Sequence, residues 1–228
     1  MKKQRLVITG SEGLIGKALT DKYQNDFEIL PLDLALGHDL CDSHFVEQFF
    51  LNQKQIDGVI ILHAINPVPE EGKSFRAPID TPLSEISSYL DVNVTSAFSV
   101  CKNYIANNDF GTIINVSSIY ALRAPKHFIF KDFVKPIGYS LSKSSIILMS
   151  RYLATYYAPQ FRSNTIILGG IEDPSQEETF VERYSAHVPL GRLMHLSEVH
   201  PAFDFLLDQN NSYTNGTEIV VDGGWSAW

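Results

Sequence analysis

The chain of 228 residues is 44% hydrophobic and 19% charged, a balance that fits a soluble globular protein of one domain, or at most two, with a full core. A net charge of −8 argues against nucleic acid as the main partner. No apolar run reaches the length of a membrane span, and Leu6-Val7-Ile8 behind the basic opening is far too short for a signal-peptide core. Cys41 and Cys101 sit in no ligand-like pattern and the seven histidines are scattered, so no metal is expected and the expected address is the reducing cytoplasm.

The first predicted strand, RLVITG (5–10), runs into TGSEGLIG and a helix near 14–25. Gly10, Gly13 and Gly16 permit a tight turn in which backbone N–H groups approach a pyrophosphate at the helix N-terminus. The expected contacts of this loop are Gly10, Glu12, Gly13, Leu14, Ile15 and Gly16. The spacing is G-x-x-G-x-x-G rather than G-x-G-x-x-G, so the strand before and the helix after carry the argument. The second strand, FEILPLD (27–33), ends in Asp33 about 20 residues on. An acid there accepts hydrogen bonds from ribose hydroxyls and repels a 2′-phosphate. Glu12 adds to that repulsion, and no Arg or Lys follows Asp33, which favours NAD over NADP.

A helix near 43–53 leads to the strand DGVIILHA (57–64), a long helix over 82–107 and the strand GTIINVSS (111–118). Next come a helix over 138–158 containing GYSLSK, the strand NTIILGG (164–170), helices near 177–186 and 197–208, and a last strand, TEIVVDGG (217–224). Most strands are continuous Val/Ile/Leu runs, as expected of strands covered on both faces. Their alternation with helices predicts an α/β fold with a doubly wound parallel sheet. No linker or composition break interrupts residues 1–228, so one domain is expected. Tyr139 and Lys143 lie one turn apart on one helix face, where a cation lowers the pKa of a neighbouring phenol.

These segments, taken in order, resemble the short-chain dehydrogenase/reductase family over nearly the whole chain. TGSEGLIG looks like its cofactor loop, HDLCD (38–42) like its adenine segment, LDVNVTSAF (90–98) like its Asn-bearing helix, and GTIINVSS and YSLSK like its serine strand and Tyr/Lys helix. FRSNTIILGGI (161–171) is similar to the strand and loop beneath nicotinamide. The resemblance implies a Rossmann-like sheet of about seven parallel strands in a three-layer αβα arrangement. It implies that Tyr139 exchanges a proton with the substrate oxygen, Ser118 (with Ser117 as the fallback) polarises that oxygen, Lys143 tunes Tyr139 and holds the nicotinamide ribose, and Asn93 holds a relay water. Asp39 and Leu40 would flank adenine, His63 and Ala64 would lie on the cofactor side, and Gly169 and Ile171 would meet nicotinamide. The implied activity is NAD(H)-dependent interconversion of a secondary alcohol and a ketone on a small molecule. The implied assembly is a homodimer or homotetramer through 82–107 and 138–158, with no nucleic-acid or membrane partner. The alternatives are a sugar epimerase or dehydratase that retains its NAD, and a non-catalytic NAD-binding regulatory module.

Three departures stand out. LHAI (62–65) replaces the family's usual Asn-Asn-Ala-Gly, and Leu168 replaces a proline. The connection 119–138, longer than the common form, joins the serine to the tyrosine and so lies over the substrate's entrance. It carries Arg123, Lys126, His127, Lys131 and Lys135 against Asp132, with Phe128, Ile129, Phe130 and Phe133 interleaved. The expectation is a lid in which Arg123, Lys126 and Lys131 bind an anionic substrate, such as an acidic or nucleotide-linked sugar. That agrees with a narrower resemblance to oxidoreductases of bacterial flagellin-modification and surface-glycan clusters. Residues 172–189 resemble the family's substrate flap, and their five acids stand against the anionic-substrate reading.

Overall fold

The structure, a computed structural model, describes residues 3–67, 77–130 and 133–228. Six strands form one sheet: β1 (Gln4–Thr9), β2 (Phe27–Leu32), β3 (Gly58–Ile61), β4 (Gly111–Ser118), β5 (Phe161–Leu168) and β6 (Glu218–Val221). Every pairing is parallel, in the order β2-β1-β3-β4-β5-β6. The continuous apolar runs occupy the middle: β1, β3, β4 and β5 are buried over almost their whole length. The half-exposed β2 and β6 form the edges, and β2 carries Pro31, which an edge tolerates.

The expectation of about seven strands is corrected to six among the described residues. After β2 the chain makes only a short 3-10 turn, Leu34–Leu36, before α2 (Ser43–Leu51) begins. A further parallel strand needs a crossover of about a dozen residues or more, and this connection has no room for one. Asp33 instead caps the 3-10 turn and Asp42 the start of α2, accepting from Ala35 N–H at 2.8 Å and His44 N–H at 2.9 Å.

The helices cover both faces. On one, α2, α4 (Ser96–Ala106) and α5 (Ile137–Tyr156) pack Phe50, Tyr104 and Ile146 against Val7, Val59 and Ile113. On the other, α1 (Leu14–Tyr23) and α7 (His200–Leu207) pack Leu19 and Phe203 against Leu6, Ile8 and Ile114. Adjacent strand residues thus feed opposite cores, as strand geometry requires. The predicted 82–107 helix is α3 (Leu83–Leu90) and α4 joined by a π-helical turn, Asp91–Thr95. Such turns concentrate at functional sites, and this one contains Asn93. A third, aromatic cluster joins Tyr120, Phe130, Tyr139, Tyr184 and Trp225, with α6 (Glu178–Ser185) contributing Tyr184.

The glycine loop is locked to β3. Gly10 has φ +66°, and a Cβ there would lie 2.8 Å from the His63 amide nitrogen. Gly37 shares the left-handed backbone at φ +82° but has open space around it. Gly10→Ala is therefore expected to cost about 2 kcal/mol or more, lowering Tm by roughly 4–8 °C, and Gly37→Ala less than half of that. Thermal denaturation of the two variants checks this, and equal losses would show that contact with β3 is not the constraint.

Candidate active site

A cleft of about 1570 Å³ opens at the carboxyl ends of the strands, where open parallel sheets place ligands. Of the expected cofactor contacts, Gly10, Gly13, Leu14, Ile15, Gly16, Ala64, Tyr139, Lys143, Gly169 and Ile171 line it. Gly16 is required because a Cβ there would overlap the Gly10 carbonyl oxygen and the Ser11 backbone. Gly169 is required against Asp222, whose Cα would lie 2.9 Å from an added Cβ. The N-terminus of α1 has no side-chain cap at Gly13, and the buried Ser11 hydroxyl finds no partner. Bare N–H groups at a helix start beside an unsatisfied hydroxyl fit a phosphate-bearing ligand.

Glu12, Asp33, Asp39, Leu40 and His63 are not among the lining residues. Asp33 fastens the loop to β2, accepting from Glu12 N–H at 3.0 Å. The Glu12 carboxylate pairs with Lys17 at 3.5 Å. Asp39 accepts from Cys41 N–H at 2.9 Å, and Leu40 is buried in the core. The His63 ring bridges two elements, with Nδ1 2.7 Å from Thr9 Oγ1 and Nε2 2.8 Å from Ser96 Oγ. Ser96 gives its own proton to Val92 O, which puts the ring hydrogen on Nε2; the single Thr9 hydroxyl proton has Nδ1 at 2.7 Å and Ile60 O at 3.3 Å within reach, and the neutral ring takes it at the shorter distance. Burial, with the Lys143 charge second, pushes His63 down to about 3 and keeps it neutral.

β4 delivers Ser118 and the first turns of α5 deliver Tyr139 and Lys143. The Ser118 side chain lines the cleft beside the Tyr139 phenol, and its oxygen accepts from Tyr120 N–H at 3.2 Å. Ser117, the fallback, donates to Lys143 O at 2.7 Å and so fastens α5 to the sheet. Lys143, 6% exposed, donates from Nζ to Val116 O at 3.1 Å, with Nζ 5.9 Å from the Tyr139 ring centroid. Burial pushes Lys143 down to about 8. Burial also pushes Tyr139 up to about 12, with the Ser118 hydrogen bond pulling the other way. Desolvation thus dominates, Lys143 is not among the causes that shift Tyr139, and the phenol is held as an acid.

Asn93 does not line the cleft. Its Oδ1 accepts from Ile65 N–H at 2.7 Å, and its Nδ2 donates to Ile65 O at 3.1 Å and Ser142 Oγ at 2.9 Å. Ser142 in turn donates to Tyr139 O at 2.8 Å. The π-turn thereby ties the loop after β3 to the helix that carries the phenol.

The insertion sorts its charges. Arg123 is exposed with its guanidinium on Leu122 O, and Lys126 lies over the Trp225 and Trp228 rings at 4.9 and 5.9 Å. Neither lines the cleft, and Lys131 lies outside the described residues. Of the three expected substrate residues, Arg123 and Lys126 thus lie off the cleft, their long side chains resting on loop or aromatic surface. Lys135, assigned no role from sequence, lines the cleft with its Nζ 4.4 Å from the Tyr139 ring centroid. Its position four residues before Tyr139 was the available signal. Arg183 from α6 lines the cleft as well.

A glycine loop at a helix start, a buried Ser/Tyr/Lys set and a parallel sheet together fit a nicotinamide-dependent oxidoreductase. A family model described as enoyl-(acyl carrier protein) reductase matches residues 15–226. The chain belongs to the short-chain dehydrogenase/reductase family, whose members are oxidoreductases. It is 27% identical to the short-chain type dehydrogenase/reductase y4vI of Sinorhizobium fredii, over 96% of this chain and 43% of that protein. The chain thus spans less than half of that relative's length. It is 26% identical to the post-translational flagellin modification protein A of Campylobacter coli, over 91% of this chain and 82% of that protein. The crystal structure of a short-chain dehydrogenase from Leptospira borgpetersenii with bound NAD⁺ superimposes with a TM-score of 0.88 at 24% identity, over 99% of this chain and 94% of that one. Among the described residues no helix is long and apolar enough to cross a membrane, and no cluster of three or more His, Cys, Asp or Glu is placed to hold a metal ion.

The buried charge of Lys143 carries a stability cost. Unfolded, the lysine stays protonated to about pH 10.4, whereas in the fold it releases its proton near 8. Lys143→Met is therefore expected to raise Tm below pH 8, by roughly 2–4 °C per kcal/mol recovered, with the advantage shrinking between pH 8 and about 10.4. Thermal melts across pH check this, and a Tm difference independent of pH would refute a desolvation cost.

Proposed function

We propose that the chain is an NAD(H)-dependent oxidoreductase interconverting a secondary alcohol and a ketone, and that its substrate is an acidic or nucleotide-linked sugar. The observation that carries this reading is that buried Ser118, Tyr139 and Lys143 line one cleft together with the glycine loop. Gly10, Gly13 and the N-terminus of α1 would hold the pyrophosphate, Asp33 the adenosine ribose, and Gly169 to Ile171 the nicotinamide. Bound NAD(H) supplies the hydride. In reduction, Tyr139 gives its phenolic proton to the carbonyl oxygen while Ser118 donates a hydrogen bond to that oxygen. The Lys143 ammonium stabilises the resulting tyrosinate, which is reprotonated from solvent. In oxidation the same proton travels back to Tyr139. The preference for NAD rests on Asp33 and on Lys17 being paired with Glu12.

Aromatic rings from Tyr89, Phe130, Phe133 and Phe180, with Lys135 and Arg183, line the substrate end, a mixture suited to a sugar carrying charge. Exposed Leu141, Leu148 and Tyr152 on α5 and Phe98 on α4 support a homodimer or homotetramer through these helices.

Calorimetric titration is expected to give micromolar NADH binding, roughly −8 kcal/mol, weakened about tenfold or more by Asp33→Ala. Tyr139→Phe should leave NADH affinity within about twofold and reduce turnover by about 10²-fold or more. Absence of NADH binding, or full turnover in Tyr139→Phe, would refute the reading.

A further inference from the structure

Two buried ammonium groups flank the Tyr139 ring. The mechanism above uses Lys143 and leaves Lys135 without a task. Lys135 is 8% exposed, and its Nζ donates to Asn66 Oδ1 at 2.7 Å and Pro67 O at 2.6 Å. Both acceptors are neutral, and among the described residues no carboxylate forms an ion pair with it. Among the described residues the titratable groups facing it are the Tyr139 ring at 4.4 Å, the Tyr120 ring at 6.0 Å and Lys143, none of them anionic near neutral pH. The acids lining the cleft are Glu85, Asp173 and Glu177, of which Asp173 is turned onto Ser175. Removing a cation from water without a counter-ion costs several kcal/mol. Burial, with repulsion from Lys143 second, accordingly pushes Lys135 down to about 7. A cost of this kind inside a ligand cleft marks a group whose partner arrives with the ligand.

We propose that Lys135 is the receptor for a carboxylate carried next to the reacting carbon, so that the substrate pair is a hydroxy acid and its keto acid, sugar acids included. This rests on the oxidoreductase reading above and narrows it. The ammonium lies on the ring whose hydroxyl serves the reacting oxygen, so a charge held there is a few bond lengths from the reacting carbon. A distal nucleotide diphosphate would carry its charge elsewhere. Two of the three ammonium donors are already committed, and the one that remains suits a single carboxylate oxygen better than a phosphate, which takes several donors. The anion offsets the desolvation of Lys135, and Asn66 and Pro67 hold the ammonium in place to meet it.

The test uses the NADH-saturated protein, in which a hydroxy acid binds without reacting. Acetate, L-lactate and D-gluconate are titrated alongside their neutral counterparts acetamide, 1,2-propanediol and D-sorbitol, followed by NADH fluorescence and calorimetry. The wild type is expected to bind a carboxylate at least tenfold more tightly than its neutral counterpart, with affinity falling as pH rises through 7. Lys135→Gln, which keeps a donor for Asn66 and Pro67 but carries no charge, should lose at least tenfold for carboxylates, while neutral ligands and NADH stay within about twofold. Lys135→Arg should retain carboxylate binding within about threefold and show no pH dependence near 7. Equal affinity for carboxylates and neutral counterparts, or carboxylate binding unchanged in Lys135→Gln, overturns the proposal while NADH binding leaves the cofactor reading standing. Absence of NADH binding by the wild type overturns the cofactor reading itself, and the proposal with it.

Discussion

The arrangement of the site depends on a chain of neutral hydrogen bonds at the carboxyl ends of β1 and β3. Thr9 donates to His63, His63 to Ser96, and Ser96 to Val92 O, so a single imidazole holds two strands to the helix that crosses them. One turn earlier, Asn93 grips both main-chain groups of Ile65 and reaches through Ser142 to Tyr139 O. A protonated His63 would have a donor facing Thr9 where it needs an acceptor. Its depressed pKa is therefore part of the architecture. The glycine loop, the loop after β3 and the phenol-bearing helix take their relative positions from this strap.

Within that frame the cleft is built against electrostatic ease. Lys143 and Lys135 are both buried, among the described residues neither forms an ion pair with a carboxylate, and Tyr139 is buried against ionisation. Desolvation moves the lysines down and the phenol up, so proton affinities ordinarily similar are driven apart in the resting protein. Oxyanions arriving with ligands would reverse part of that separation, because each stabilises a nearby ammonium. The aromatic cluster of Tyr120, Phe130, Tyr184 and Trp225 supplies the low-polarity wall that sustains these shifts.

The insertion shows how far charge counting in sequence can mislead. Its basic residues look equivalent along the chain, yet Lys126 lies on tryptophan faces, Arg123 faces outward, and Lys135 alone of these three enters the cleft. Their roles are separated by the short turns Ile119–Ala121 and His127–Phe130, which bury Ile129 and Phe130 and rotate the intervening side chains outward. Neither turn has a periodicity that a sequence pattern reveals.

The amino-acid sequence by itself determined the alternation of strands and helices, the glycine turn, and the pairing of Tyr139 with Lys143, because each follows from local spacing or a local backbone need. β4 matches its predicted span of 111–118, and the glycine helix begins at Leu14 as its loop requires. Tertiary structure decided what depends on groups distant in sequence. The missing seventh strand follows from a connection too short to cross over, legible in length yet obscured by the family resemblance. That His63 serves as a strap depends on Thr9 and Ser96, 54 and 33 residues away. Only packing decided that the Tyr139 phenol rises, since burial, its largest cause, is a property of the assembled fold.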